Sequence, residues 1–448
     1  LIGRAKYGYA HRYFGEFSFR LDGSNNFRPE RRWGFFPSLA AAWVVSNEPF
    51  FAEWDQRVLT NAKVRLSTGW LGNDGQVESY SYLKNYMEAP GLGYPIGGNY
   101  VPGLRLTPGG YPNPDLTWGK THDWNFATDL GFWDGKIGLS FEYFVRYETD
   151  KITSAPSYLF PPSTGVEGNV PNINFAELKA WGWDLTINHR NTVGKLRYNV
   201  GLTLSRTDDR YLDYGDESAQ LPNLRRAGKA SMVWTMYEAD GLFRSQEELD
   251  AHPIDQDGQG NATLAPGDIR YVDQNGDKII DANDRVMIKN SSYPDMDLAL
   301  KFGINYKGWF VNALVQGVVG YKQNITEYYA LDNSTLPKFQ AYHLTDTWAP
   351  ERPDAQYPRI KFATTADNNR RASTFWVREC DFVRLKMLNV GYTFPARWLR
   401  RLGVASASIA LQASNLFTLT NLDLGMDPES LRGYPVQRSY GLTLNVGF

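Results

Sequence analysis

Cysteine is almost missing from this chain: Cys380 is the only one in 448 residues, which excludes an internal disulfide framework and any cysteine-based zinc cluster. A charge excess is missing too. With 47 basic against 49 acidic side chains the net charge is −2, so no nucleic-acid footprint and no acidic disordered tail is expected. No apolar run reaches the roughly 18–20 residues that a membrane-spanning helix needs. The histidines His11, His122, His189, His252 and His343 show no HExxH spacing, and neither a GxSxG elbow nor a Walker loop occurs. Asp208 and Asp209 are adjacent, so on a strand they point to opposite faces and do not form a glycosidase pair. Cys380 lies in a predicted strand between Glu379 and Asp381, acidic neighbours that raise a thiol pKa and make it passive. The chain does not read as an enzyme. Residues 1–10 are already patterned sequence without a targeting segment, so the chain reads as a piece whose beginning is missing.

What is present in excess is aromatic: 15% of residues are Phe, Trp or Tyr. The mean hydropathy is only −0.45, which a membrane β-barrel tolerates because its strands show apolar residues to lipid and polar ones to a wet lumen. Period-two alternation dominates. Ile137, Leu139, Phe141, Tyr143, Val145 and Tyr147 share one face, with Lys136, Ser140, Glu142 and Arg146 on the other. Leu196 to Leu204, Leu298 to Tyr306 and Tyr440 to Phe448 repeat the pattern. About thirteen strands follow, near residues 1–9, 13–22, 33–46, 58–71, 118–133, 136–152, 174–190, 194–209, 295–306, 309–321, 374–393, 405–418 and 436–448.

The predicted connections alternate in length. Short ones lie at 11–12, 48–54, 133–136, 191–194, 306–308 and 395–403, and long ones at 23–32, 72–117, 153–173, 210–294, 322–373 and 419–435. Successive connections of an up-and-down barrel fall on opposite rims, so this parity predicts one rim of turns and one of loops. A β-propeller has short strands covered on both faces, and a sandwich exposes its polar face as ordinary surface. The fold class expected is therefore all-β, an antiparallel transmembrane β-barrel. Trp43, Trp70, Trp124, Trp133, Trp181, Trp309 and Trp376 then serve as interfacial aromatics near strand ends. Residues 395–403 read as a short amphipathic helix on the turn rim.

Specific blocks carry a resemblance. Asp22-Gly23-Ser24, Arg32-Trp33-Gly34-Phe35-Phe36-Pro37-Ser38, Trp43, Glu48-Pro49-Phe50-Phe51, Asn113-Pro114-Asp115-Leu116 and Trp118 come first. Gly241-Leu242-Phe243, Pro266-Gly267-Asp268-Ile269, Tyr271, Asp273-Gln274-Asn275-Gly276-Asp277 and Asp284-Arg285 follow. Phe382-Val383-Arg384-Leu385-Lys386, Ser414-Asn415-Leu416-Phe417 and Asp427-Pro428-Glu429 complete the series. In this order they resemble the SusC/RagA family of TonB-dependent outer-membrane transporters of Bacteroidota. The resemblance implies a 22-stranded barrel with an N-terminal plug, of which this chain supplies about thirteen C-terminal strands. It implies import of oligosaccharides or peptides across the cell outer membrane, a SusD-like surface lipoprotein as partner, and drive from the TonB complex through a plug outside this chain. A passive porin or surface-adhesion barrel is the second reading, and a secreted β-rich glycan-binding protein or hydrolase the third.

Within the long loop 210–294, Asp273, Asn275, Asp277, Ile279, Asp281 and Asp284 occupy positions 1, 3, 5, 7, 9 and 12 of an EF-hand-like loop. Oxygen donors at that spacing suit a structural Ca2+ or Mg2+ that would order the loop, with Ile279 offering its carbonyl. The pattern departs from the ideal at position 6, where glycine is replaced by Lys278, and at position 12, where Asp284 is shorter than the usual Glu. For sugar stacking the loop aromatics Tyr80, Tyr82, Tyr86, Tyr94, Tyr100, Tyr158, Phe160, Tyr328 and Tyr329 are candidates. Arg20, Lys63, Arg65, Asp129, Glu142, Arg146, Arg197, Asp297, Lys301, Arg378, Arg384 and Lys386 are expected to face the lumen. The terminal Phe448 resembles the signal read by the β-barrel assembly machinery, and equally suits an interfacial aromatic that closes the barrel. Outer-membrane lipid is the expected surroundings.

Overall fold

The computed structural model describes residues 1–54, 57–75, 77, 79–80, 82–83, 86–106, 111–155, 163, 170–216, 221–325, 341–360, 368–400, 403–422, 426–431 and 434–448. Thirteen strands pair in chain order into one antiparallel sheet. They are β1 (Ile2–Tyr9), β2 (Tyr13–Gly23), β3 (Trp33–Val44), β4 (Leu59–Asn73), β5 (Gly119–Phe132), β6 (Ile137–Ser154) and β7 (Asn172–Val193). They continue with β8 (Leu196–Asp213), β9 (Met296–Tyr306), β10 (Trp309–Val319), β11 (Phe382–Thr393), β12 (Ser406–Ser414) and β13 (Ser439–Gly447). A short strand, Thr418–Thr420, also pairs with β11. The alternation in the sequence thus places every sheet strand to within a few residues, with one exception. The strand expected over 374–393 is interrupted: Val377–Glu379 pairs with Lys322–Asn324, and only Phe382–Thr393 joins the large sheet.

The chain divides into two compact units, Leu1–Ile187 with Thr207–Gln220 and Arg226–Ser231, and Asn188–Arg206 with Leu221–Arg225 and Met232–Phe448. In the first, register aligns apolar side chains across five strands. One row runs Tyr13, Trp43, Val64, Thr128, Phe141, the next Gly15, Ala41, Leu66, Phe126, Tyr143, and a third Phe17, Leu39, Thr68, Trp124, Val145. These large side chains are not a covered core: Leu66 is 46% and Phe126 47% exposed, and Phe17, Leu39, Trp43, Trp70 and Trp124 are exposed as well. An apolar sheet face this wide and open to its surroundings is unlike the face of a sandwich, which another layer buries.

A small separate core sits among the first unit's longer connections. Phe27, Phe36, Val77, Leu116, Trp118 and Ile152 form it, with the rings of Phe36 and Trp118 5.3 Å apart edge to face and Trp118 Nε1 donating to the Arg32 carbonyl at 3.0 Å. Burial of each aromatic contributes about 1.5–3 kcal/mol. Gly72 makes room for it: a Cβ there would lie 2.0 Å from the Phe36 ring.

In the second unit the apolar rows are Leu196, Tyr306, Trp309, Tyr392, Ile409, Leu444 and Tyr198, Ile304, Val311, Val390, Leu411, Leu442. Its long connections fold into a body of their own. Val233–Tyr237 pairs with Arg285–Lys289, and Ala239–Leu242 with Ile269–Tyr271. They enclose a core of Leu242, Ile269, Tyr271, Ile280, Ile325, Tyr357, Trp376, Cys380, Leu422 and Leu431. Trp376, expected at a membrane interface, lies in this core, with its indole donating to the Asn369 carbonyl at 2.9 Å. Arg378, expected in the lumen, stacks over Tyr357 instead. Both shifts have the same cause as the broken strand, because residues 374–381 belong to the loop body.

Candidate functional site

The face opposite the apolar rows of the first unit is polar and laced together by charge. Arg4 pairs with Glu16, Arg65 with Asp129 at 3.0 Å, and Arg146 with Asp123 at 2.7 Å. Ser140 Oγ donates to Asp129 at 2.7 Å, and Ser18 and Ser38 share a hydrogen bond at 2.6 Å. The strand period alone puts these side chains on one face, and cross-strand register brings opposite charges level. Lys63, Arg65, Asp129, Glu142 and Arg146 thus share the polar face as the alternation predicts. Each pair is half exposed and worth little to stability; what the pairing creates is a hydrophilic lining of balanced sign.

At one edge of this unit a carboxylate anchors the exposed aromatics. Glu48 Oε1 accepts hydrogen bonds from the Tyr13 hydroxyl at 2.5 Å and from Trp43 Nε1 at 3.0 Å. The Tyr13 bond, with help from Trp43 and Arg12, outweighs burial and holds the Glu48 carboxyl below its usual range.

The second unit's polar face carries Asn199, Gly303, Asn312, Asn389, Gln412 and Gly441 in one row. Arg384, also expected to line a lumen, is instead fully buried. Its Nη2 lies 2.8 and 2.7 Å from the two Asp427 oxygens, its Nη1 donates to Glu429, and its Nε donates to Thr418 Oγ1 at 2.9 Å. A guanidinium out of water needs acceptors around it, and each of its three nitrogens finds one here.

A polar cluster lies within the loop body. Asp268, fully buried, receives Arg359 side-on at 2.8 and 2.9 Å and Asn369 Nδ2 at 2.9 Å. Gln256, also fully buried, donates to the Ile269 carbonyl and to Asn368 Oδ1 and accepts from Tyr271 N–H at 2.8 Å. Gly267 makes the turn possible: its φ is +91°, and a Cβ would lie 2.7 Å from the Trp348 ring. Nothing in the spacing of these residues marks them as partners, since Asp268 and Arg359 are 91 positions apart. The signal that was available is that Asp268, Arg384 and Asp427 all sit in the ordered blocks that carry the family resemblance.

The predicted metal loop turns through two left-handed residues. Lys278 at position 6 takes the left-handed φ of +67° that glycine usually supplies there, and Gly276 has φ +80°. Ile280 is buried and its N–H donates to the Asp255 carbonyl at 2.9 Å, tying the loop to a neighbouring segment. The side chains close on the backbone. Asp273 accepts from Gly276 N–H at 2.7 Å and Lys278 N–H at 2.8 Å, and Asp277 accepts from Ile279 N–H at 2.9 Å. Partial burial pushes the Asp273 carboxyl up, but the N–H groups of Lys278, Gly276 and Asn275 outweigh it and leave it below the ordinary value. Asp281 and Asp284 form a capping box over residues 282–284, and the buried Asp284 accepts from Gln274 and Asp281 N–H at 2.9 and 2.7 Å. Among the described residues no group of three or more His, Cys, Asp or Glu side chains gathers closely enough to hold a metal. The loop is closed by its own amide hydrogen bonds, with Asp284 bracing it.

Of the aromatic candidates, Tyr80, Tyr94 and Tyr100 are exposed. Tyr80 and Tyr82 have ring centroids 6.4 Å apart, and Tyr94 and Tyr100 lie on the paired strands Tyr86–Ile96 and Asn99–Leu106. The backbone of Tyr86 begins the first of these strands. Tyr158, Phe160, Tyr328 and Tyr329 lie outside the described residues. Cys380 is buried in the loop core, not in a sheet strand, and burial, with Asp381 beside it, pushes its thiol up to about 12. A thiol so protonated is no nucleophile.

No family model matches the chain. The TonB-dependent receptor P3 of Formosa agariphila is 27% identical over all of it, and the chain covers 45% of that protein. The TonB-dependent receptor SusC of Bacteroides thetaiotaomicron is also 27% identical over all of the chain, which covers 43% of it. The chain thus spans about half the length of the curated relatives it matches. Among solved structures, the RagAB peptide importer in its open-open state has a TM-score of 0.76 at 20% identity, and the RagAB peptide transporter one of 0.73 at 20%. Both matches cover 100% of this chain, and 46% and 47% of those chains. The likeness is one of fold, and the thirteen-strand antiparallel sheet is its substance.

Proposed function

We propose that this chain, similar to SusC/RagA-type TonB-dependent transporter barrels in sequence and fold, forms the C-terminal part of the membrane-spanning barrel of an outer-membrane importer for oligosaccharides or peptides. The observation that carries the reading is the two-faced sheet, with wide exposed apolar rows on one side and a charge-balanced polar lining on the other. On this reading the apolar rows meet outer-membrane lipid. The polar lining surrounds the substrate path, a SusD-like lipoprotein closes over the long loops, and the TonB complex supplies the drive. Likeness to SusC, a TonB-dependent receptor, supports the energy source, and likeness to RagAB, a peptide importer, supports peptides as one substrate class. Assembly of the sheet by the β-barrel assembly machinery through Phe448 belongs to the same proposal.

The long loop folded around Asp273 to Asp284 would take Ca2+ as an ordering ion, through side-chain oxygens of Asp273, Asn275, Asp277, Asp281 and Asp284 and the Ile279 carbonyl. The ion would supply cross-linking charge there and no chemistry.

Uptake of labelled oligosaccharides and labelled peptides by cells with and without a working TonB tests the function. Accumulation of one class that vanishes without TonB is the expected result. Uptake indifferent to TonB would replace the proposal with the passive porin reading, and no uptake with intact surface binding would favour the adhesion one.

A further inference from the structure

We infer that the edge of the second unit where its short connections lie is a binding surface for anionic phospholipid headgroups. The inference rests on reading the sheet as membrane-embedded. Three segments at this edge, residues 188–197, 305–310 and 392–400, contain no aspartate or glutamate. They carry Arg190, Lys195, Arg197, Lys307, Arg397 and Arg400. Two other short connections are mixed in sign, with Glu48, Glu53 and Asp55 in residues 45–58 and Asp134 in residues 133–136, and at 11–12 the lone Arg12 pairs with Glu48.

The geometry separates five of these bases from the paired ones. On the polar face of the first unit Arg4, Arg65 and Arg146 each hold a carboxylate. Among the described residues, Lys195, Arg197, Lys307, Arg397 and Arg400 are exposed and none lies within ion-pair distance of a carboxylate. Residues of the three segments surround one open cleft of about 430 Å³, among them Lys195, Arg197, Lys307, Tyr306 and Trp309.

Beside these charges runs an aromatic chain. Trp309 and Tyr392 have centroids 5.1 Å apart, Tyr392 and Phe394 5.4 Å, and Phe394 and Trp398 6.4 Å. Trp309 is 57% and Trp398 53% exposed. In the single-turn helix Ala396–Leu399, Leu399 is buried and Arg397 and Trp398 point outward. Lys307 sits 5.2 Å over the Tyr306 ring, a position in which its stem lies on an aromatic and its ammonium faces out.

Exposed Trp and Tyr mark the depth of a membrane interface, and unpaired Lys and Arg at that depth attract anionic lipid. Charge and amphipathic rings on one edge therefore match a phospholipid: the phosphate against Lys195, Lys307, Arg397 and Arg400, the acyl chains against Trp309 and Trp398. A soluble anion would use the charges and leave the rings without a role.

The test takes the full protein, delipidated in neutral detergent, and titrates it with phosphatidylglycerol, phosphatidylcholine or inorganic phosphate, counting retained lipid by native mass spectrometry. The expected result is phosphatidylglycerol retained about tenfold more tightly than phosphatidylcholine, a preference that millimolar phosphate does not remove. The variant K195Q/K307Q/R397Q/R400Q should lose that preference while melting at the same temperature as the parent. Equal retention of the two lipids by the parent, displacement by phosphate alone, or an undiminished preference in the variant would each overturn the inference and leave the barrel reading standing. Failure to retain either lipid would likewise overturn the inference and leave the barrel reading standing.

Discussion

Arg384 and Asp427 are locked together by one nitrogen: Nη2 of the arginine lies 2.8 Å from Oδ1 and 2.7 Å from Oδ2 of the aspartate, with the guanidinium fully buried. The pair ties strand β11 to a segment 43 residues further on, so a sheet strand and a long connection stabilise each other through a single desolvated cation.

Removing that cation leaves the largely buried Asp427 without its ion pair and Glu429 with Lys386 alone, 3.4 Å away. Arg384→Ala should therefore destabilise the loop body by about 3–5 kcal/mol, and Arg384→Lys by less, since the charge stays while the fork is lost. Denaturant titration followed by Trp376 fluorescence reads the change; a midpoint unmoved by Arg384→Ala would show that the pair carries no stability.

Asp268 poses the same problem deeper in the loop body. Asp268→Asn keeps the shape and removes the charge that Arg359 and Asn369 address, so the exchange protection of amides near Ile269 and Tyr271 should drop. Gly267→Ala should do as much without touching a charge, because its φ of +91° and the Trp348 ring both oppose a Cβ. Hydrogen exchange on each variant gives the comparison.

The two sheet faces should answer a charge differently. Leu66→Lys places an ammonium in the middle of the apolar rows and, in a bilayer, should cost about 2–4 kcal/mol. Ser67→Lys, one residue along, points to the polar lining and should cost far less. Folding titrations in lipid vesicles decide it, and equal costs would argue against hydrocarbon on the Leu66 side.

If the Asp273 loop takes calcium, Asp273→Asn with Asp277→Asn should weaken Tb3+ luminescence binding by at least about tenfold, and chelator should raise proteolysis within residues 273–284. Chelation without effect on the parent protein would leave the loop held by its own amide hydrogen bonds.

Asp257 gives a pH signature. Partial burial pushes its carboxyl up, but the Thr263 hydroxyl and the N–H groups of Thr263, Gln259 and Asn261 bring it down to about 2. A depressed carboxyl stabilises the folded loop above its unfolded pKa and loses that contribution as pH falls toward the folded one. Amide protection around Gln259 to Thr263 should therefore hold from neutral pH to about 4 and decline from there toward about 2. Asp257→Asn should show weaker protection throughout and no such decline.

The amino-acid order by itself determined the thirteen sheet strands, their two faces and the parity of their connections, because a strand's side chains alternate whatever surrounds it and a two-sided solvent leaves that alternation unbroken. Ordered blocks such as Phe382 to Lys386 and Asp427 to Glu429 also carried the likeness to a transporter family. Tertiary structure alone decided that residues 374–381 leave the large sheet, that Trp376 and Arg384 are buried, and that Asp268 finds Arg359. Those outcomes depend on which distant segments fold over a residue, and burial of a charge or a ring is settled by the partners that arrive, which no local period records.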